Sequence, residues 1–348
     1  MPLTLPPALR SLTATLTRLA TVTPKEAKVT VGLDIGSSVV KVVALGARKS
    51  SGARQILGSQ MIPLDDPVDD GRIVAAVTHA VQAARPAVKT VTLSVSGQWV
   101  TMRVIEMPAM TPHELRQSLP FEAQRHLPFN IEDVVLDGTI LGPSEPQKIW
   151  VLIVACKRDL VGRRLGWLQQ AGLEPGAVDV DALALVNAFA EGRNGQQTAG
   201  SYALLNLGAQ WTNLVILKNG IPYLVRDIPW GAARLARQVA EQLGVEEAAV
   251  SEQLRQPSAA VSAETLAAMK TCCESVTADL QLSFDFFESR FGNQPERLLV
   301  SGGISQCPGF LDALKSHLAQ PLIPWEPGEG LSGQFAVAYG LALRTPTS

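Results

Sequence analysis

Two stretches of this chain combine an acid or amide, a glycine and small polar side chains at a spacing that suits phosphate. Asp34-Ile35-Gly36-Ser37-Ser38, with Lys41 beyond it, lies between two apolar runs. Asn206-Leu207-Gly208-Ala209-Gln210, with Thr212 beyond it, does the same. Glycine lets the backbone approach phosphate oxygens, and the amides of a tight turn form a concave anion site. The serine hydroxyls add donors, and the Asp34 carboxylate suits Mg²⁺ held through water, because that ion keeps part of its hydration shell. A third stretch, Ser301-Gly302-Gly303-Ile304, follows a predicted strand over Arg297–Val300 and precedes Pro308. Strand, glycine bend and helix start would seat a nucleotide's sugar and base. Standing alone, that stretch reads equally well as an ordinary strand-to-helix connection.

The elements that carry these turns are duplicated. Residues 32–45 and 204–217 superpose without a gap at an offset of 172, with Asp34 on Asn206, Gly36 on Gly208, Lys41 on Asn213 and Val43 on Val215. A strand-turn-strand unit opening each half predicts two related α/β lobes facing one ligand across a cleft. The 348-residue length already exceeds what a single core usually fills. In the first half the pattern predicts a strand over 55–62, a helix over 71–84 and a strand over 91–96. In the second it predicts a strand over 221–228 and helices over 231–243 and 245–254. A single long helix is expected over 262–291, with Leu266, Met269, Cys273, Val276, Leu280, Phe284 and Phe287 on one face as core.

Extra material separates the halves at 107–173. Thr111, Pro112 and Glu114 form a capping-box start for a helix running toward His126. Strands follow over 134–141 and 149–156, then a helix over 159–171 stopped by Gly172. The predicted organisation is a tail over 1–27, lobe one over 28–106 and 174–198, an inserted α+β subdomain over 107–173, a lobe-two core over 199–230 and 296–348, and a helical subdomain over 231–295.

Composition narrows the function. A formal charge of −2 with both signs mixed gives no basic face for nucleic acid. Cys156, Cys272, Cys273 and Cys307 show no paired spacing, which reads as buried thiols in a reducing compartment. The four histidines are scattered, so no metal site is expected from them. Apolar runs such as Trp150 to Cys156 are far short of the ~20 residues a membrane span needs. Leu9, Leu12, Leu16 and Leu19, with Arg10 and Arg18 between them, could form a short amphipathic segment touching a membrane or partner; a frayed tail is the simpler reading.

The order of the three turns resembles the phosphate-1, phosphate-2 and adenosine motifs of the actin-like ATPase superfamily. More narrowly, Met107-Pro108-Ala109-Met110-Thr111-Pro112-His113-Glu114-Leu115, then Phe121 through Phe129, Val134 through Asp137, and Phe335 through Arg344 resemble the PilM family of pilus assembly proteins. The resemblance covers about residues 28–344 and implies an α/β, actin-like (ribonuclease H-like) fold with a small subdomain of the FtsA type inserted in lobe one. It implies ATP with Mg²⁺ in the cleft, held by Asp34, Gly36, Ser37, Ser38, Lys41, Asn206, Gly208, Ala209, Gln210, Thr212, Gly302, Gly303 and Ile304. It also implies that the N-terminal cytoplasmic tail of the inner-membrane protein PilN docks between lobe one and the insert, at the cytoplasmic face of the inner membrane. The alignment and motor proteins of the pilus would be further partners, self-association would be open, and the role would be in twitching motility and, in some bacteria, DNA uptake.

This sequence departs from the superfamily at two places. The second turn opens with Asn206 where an aspartate is usual, and an amide brings no charge to a hydrated cation or attacking water. The Glu-x-x-Lys pattern of the lobe-two helix is replaced by Ser251 and Leu254, with Glu252 and Arg255 nearby as the residues that could reach the ribose and base. Binding without robust hydrolysis is therefore expected. Phe121, Leu127, Pro128 and Phe129 suit an apolar groove for a short peptide, although each residue by itself reads more simply as packing of the insert onto lobe one. An active phosphotransferase would need a carboxylate base, for which Asp179 and Asp181 are the candidates, Asp181 reading more simply as a helix cap. A division protein of the FtsA kind would end in a membrane-binding helix, which Thr345-Pro346-Thr347-Ser348 does not resemble.

Overall fold

The computed structural model describes residues 29–49, 52–64, 69–86, 88–192, 199–255 and 261–344. The chain divides into two compact units. One runs to residue 194 and takes back residues 337 onward; the other spans 195–336. The tail reading of residues 1–27 lies outside the described residues.

In the first unit β1 (Thr30–Ile35), β2 (Val39–Arg48) and β3 (Arg54–Pro63) form an antiparallel meander. All six residues of β1 are buried, as expected of a central strand covered on both faces. The helix α1 (Asp70–Ala84) is capped by Asp69, which accepts from the Arg72 amide at 3.0 Å, and it buries Ile73, Ala76, Val77, Ala80, Val81 and Ala84. It leads to β4 (Thr90–Val95), parallel to β1.

The chain then leaves this sheet to build a smaller one. It runs through β5 (Val100–Pro108), α2 (Pro112–Ala123), β6 (Val134–Pro143) and β7 (Lys148–Lys157), with strand order β5-β7-β6, all antiparallel. The capping box forms: Thr111 Oγ1 accepts from the Glu114 amide at 3.3 Å, and Glu114 Oε2 accepts from the Thr111 amide at 2.7 Å. Leu115, Leu119 and Ala123 of α2 bury against Met107, Val151 and Ile153.

The helix α3 (Arg158–Gln170) returns to β8 (Glu174–Val180) and α4 (Asp181–Gly192), completing the sheet order β3-β2-β1-β4-β8. Gly172, at φ +69°, follows the end of α3, where the glycine stop was expected. The insert itself differs from the expected 107–173. Its sheet begins at Val100 in β5, which has no separate signal in the sequence, while α3 packs on α1 and β8 and so belongs with the larger sheet.

The second unit repeats the plan. β9 (Ser201–Leu207), β10 (Thr212–Lys218) and β11 (Ile221–Ile228) form the meander. Four helices follow: α5 (Ala232–Leu243), α6 (Glu247–Arg255), α7 (Ala263–Cys272) and α8 (Glu274–Phe291). Then come β12 (Arg297–Ser301), a 3₁₀ turn over Gly303–Gln306, α9 (Phe310–Lys315) and β13 (Leu322–Pro324), giving the order β11-β10-β9-β12-β13. The two five-stranded sheets share one topology, and the actin-like reading rests on that identity.

The long helix expected over 262–291 is interrupted at Cys273. Its backbone stays right-handed, donating to the Met269 carbonyl and accepting from the Thr277 amide, each at 3.0 Å. Thr277 Oγ1 also donates to the Cys273 carbonyl at 3.0 Å, a side-chain competition that bends helices. Met269, Cys273, Val276, Leu280, Phe284 and Phe287 of the expected core face are fully buried, while Leu266 is only partly buried against that core. All four cysteines are free and buried, and burial pushes the Cys156 and Cys273 thiols up to about 12.

The last helix corrects another expectation. Residues 337–344, read from sequence as part of lobe two, pack on the first unit through α10 (Ala336–Ala342). Thr30 Oγ1 donates to the Ala342 carbonyl at 2.5 Å, and Arg344 Nη1 lies 2.9 Å from Asp179 Oδ2. A Cβ on Gly32 would overlap the Ala338 carbonyl oxygen, and one on Gly340 would overlap that of Ala184. Glycine at both contacts lets α10 lie directly on β1 and α4.

Candidate functional site

The first turn joins β1 to β2. The Gly36 amide closes it on the Val39 carbonyl at 3.1 Å, and Gly36, Ser37 and Ser38 are half-buried. Asp34 and Lys41 pair directly across the hairpin, and Lys41 Nζ donates to Asp34 Oδ2 at 2.8 Å. Their side chains are only 8% and 15% exposed, so this is a sheltered ion pair at the base of the turn. Beside it, Arg164 of α3 donates from Nη1 to the Ile35 carbonyl at 2.6 Å. Burial draws the Arg164 guanidinium below its usual value, and the carboxylates of Asp181 and Asp34 oppose that shift. Sequence reasoning missed Arg164 because nothing in its helical spacing points to a strand end 129 residues earlier.

The second turn joins β9 to β10 with the same closure: the Gly208 amide donates to the Trp211 carbonyl at 3.0 Å. Asn206 and Asn213 occupy the places of Asp34 and Lys41, and Asn206 Nδ2 donates to Asn213 Oδ1 at 2.8 Å. The carbonyls of Gly208 and Ala209 accept from the Ala232 and Ala233 amides at 3.0 and 2.9 Å, so this turn sits on the N-terminus of α5. Gln210 is exposed. The Thr212 hydroxyl is fully buried and donates to the Trp230 carbonyl at 2.8 Å, which turns it away from any ligand role.

At the third turn Gly302 has φ +95°, and a Cβ there would run into Leu207 backbone atoms. Only glycine fits. Gly303 is exposed with nothing within 4 Å of its Cβ position, while Ile304 is buried in the core. The Ser301 hydroxyl, on β12 beside Asn206, donates to the Leu205 carbonyl at 3.2 Å. Asn206 and Gly302 therefore belong to one end of one sheet, joined through Ser301 and Leu207.

A profile for the type IV pilus assembly protein PilM matches residues 32–346. The chain belongs to the PilM family. The structure is similar to the solved PilM-PilN type IV pilus biogenesis complex, with a TM-score of 0.78 and 25% identity over 90% of this chain and 97% of that one. It also shares its fold with the ethanolamine utilization protein EutJ from Carboxydothermus hydrogenoformans, at a TM-score of 0.55 and 12% identity over 94% of this chain and 95% of that one. Two five-stranded sheets of one topology, one in each unit, are the duplicated α/β plan expected of an actin-like fold.

Other marked residues divide within this PilM-family frame. Glu252 and Arg255 are both exposed on α6, 3.9 Å apart as an i,i+3 pair, while Val250 and Leu254 bury its other face. In the insert, Leu127, Pro128 and Phe129 line a groove of about 430 Å³ together with Asn130, Asp133 and Lys157. Leu127 also packs against the insert's own core. Phe121 lies outside that lining, 76% exposed on α2. Lys157 of the groove, and Trp99 beside Phe129, had no sequence signal. Trp99 stacks at a tilt 6.4 Å from Phe129, and Lys157 Nζ lies 4.9 and 5.3 Å from the two ring centroids. Among the described residues no helix is long and apolar enough to cross a membrane.

The carboxylates a phosphotransferase would use are already engaged. Asp179 is 1% exposed and paired with Arg344, and Asp181, at the start of α4, accepts from Ser94 Oγ at 2.5 Å.

Proposed function

We propose that this chain is a nucleotide-binding scaffold of type IV pilus assembly that captures the N-terminal cytoplasmic tail of a PilN-like inner-membrane protein. The observation that carries the reading is the whole-length similarity to the PilM-PilN complex, together with a groove in the insert that combines apolar rings with a cation. On this reading the insert is the FtsA-type subdomain, and the chain works at the cytoplasmic face of the inner membrane beside the pilus alignment and motor proteins. Leu127, Pro128 and Phe129 contribute apolar surface for an extended or turned peptide, Lys157 and Asp133 fix its polar groups, and Phe121 lies on the approach.

The residues present suit ATP with Mg²⁺ unequally. The turn at Gly36–Ser38, with Lys41 and Asp34, carries amides, hydroxyls and both charges. The turn at Asn206–Gln210 offers amides and a neutral side chain. When bound, Mg²⁺ would supply charge neutralisation for the phosphates, with Asp34 accepting from its water shell. Asn206 cannot act as a base toward water. The reading is therefore binding with slow hydrolysis at most, which supports a scaffold over an enzyme.

The test is titration of the purified chain with a synthetic PilN-tail peptide by calorimetry, with and without ADP and Mg²⁺. Saturable peptide binding that weakens on Phe129→Ala supports the reading. No binding of the tail, or rapid phosphate release stimulated by a small sugar, would reverse it in favour of a kinase.

A further inference from the structure

Four strands of the second unit carry one continuous polar row: Ser301, Asn206, Asn213 and Asp227 pair directly across β12, β9, β10 and β11. Asn213, in the middle, is 2% exposed and cannot exchange its partners for water. Its Nδ2 donates to Asp227 Oδ1 at 2.8 Å, and its Oδ1 accepts from Asn206 Nδ2 at 2.8 Å. An asparagine amide can face either way, whereas the Asp227 oxygen facing Asn213 accepts. Asp227 therefore compels Asn213 to turn Nδ2 toward it and Oδ1 toward Asn206. Asn206 must then commit Nδ2 to Asn213, while its Oδ1 accepts from the buried Ser301 Oγ at 3.5 Å and keeps a second lone pair.

We propose that Asp227 is a positioning residue that sets the polarity of Asn206, so that the second turn presents a neutral amide oxygen to the water ligands of a phosphate-bound divalent cation. The ligand rests on the nucleotide reading above; the polarity does not. Water bound to a cation donates its protons outward, and a fixed acceptor is what it needs. The negative charge that the second turn lacks is retained in the unit, beyond Asn213, where it orients Asn206.

The first test needs no nucleotide. Asn206→Asp sets a second carboxylate against Asn213 Oδ1, leaving an acceptor facing an acceptor, and the melting temperature of the full chain should fall by about 3–8 °C. Adding Asp227→Asn lets Asn213 turn over and donate to the new carboxylate, so the double variant should recover most of that loss. An Asn206→Asp chain as stable as the parent, or a double variant no better than the single one, would overturn the proposal.

The second test measures ADP binding with Mg²⁺ and with chelator. Asp227→Asn frees the direction of the row, and the gain in ADP affinity on adding Mg²⁺ should shrink by about 3–10-fold. An unchanged Mg²⁺ gain would remove the cation from the proposal. If the parent chain binds no ADP, the nucleotide reading fails, and the melting series still decides the polarity of the row.

Discussion

Lys41 Nζ sits 2.8 Å from Asp34 Oδ2, straight across the hairpin that opens the first unit. The same place in the second unit, 172 residues on, holds Asn213 opposite Asn206. Two hairpins with one geometry thus carry a charged pair in one unit and an amide pair in the other. Coulomb attraction in a sheltered place favours the first pair, but only while both partners remain.

Removing one partner should therefore cost more than removing both. Lys41→Met leaves the nearly buried Asp34 carboxylate without its direct partner, with only the Arg164 guanidinium nearby, and should destabilise the fold by about 1–3 kcal/mol, whereas Asp34→Asn combined with Lys41→Met should cost less than the single change. Urea unfolding of Lys41→Met, Asp34→Asn and the double variant checks this. A double variant as poor as the sum of both singles would contradict it.

The two neighbouring glycines of the third turn should differ sharply. Gly302→Ala combines a left-handed backbone at φ +95° with a collision on Leu207, and should lose about 2–4 kcal/mol or fail to accumulate. Gly303→Ala meets open space and should stay within about 0.5 kcal/mol of the parent. Thermal melts of both variants decide it.

Asp137, on β6, gives a pH dependence with a definite sign. Burial, reinforced by the Asp179 carboxylate, pushes its pKa up to about 7 despite the Gly138 amide and the Arg344 and Arg116 guanidiniums that favour the charged form. The folded state therefore holds this proton more tightly than the unfolded chain does, where an aspartate titrates near ~4. Its contribution is full below pH ~4 and is lost as pH rises through about 7. Asp137→Asn should remove that loss. Between pH 5 and 8 the variant should gain stability relative to the parent, read as the difference of urea midpoints; parallel pH profiles would refute the assignment.

The groove should separate binding from stability. Phe121 is 76% exposed, and Phe121→Ser should leave the melting temperature within about 1 °C of the parent. Phe129→Ala removes a ring stacked beside Trp99 and Lys157 and should weaken capture of a PilN-tail peptide by about 10-fold. Equal losses for both variants would point to a wider surface than the groove.

The sequence by itself determined what local chemistry controls. The offset of 172 showed that two hairpins share one design, because a tight turn needs its glycine at a set distance from the paired strand residues, and the closures at Gly36 and Gly208 match. Thr111 and Glu114 announced the start of α2, since a capping box is satisfied within four residues. Tertiary structure decided what depends on distant neighbours. Asp227 joined the second turn because strand pairing put it beside Asn213, and Arg164 reached Ile35 from a helix far along the chain. The last helix went to the first unit because Gly32 and Gly340 offered a backbone-close seat that no periodicity reveals. Local spacing specifies turns and caps; register and close packing, which select partners across hundreds of residues, specify what those turns can hold.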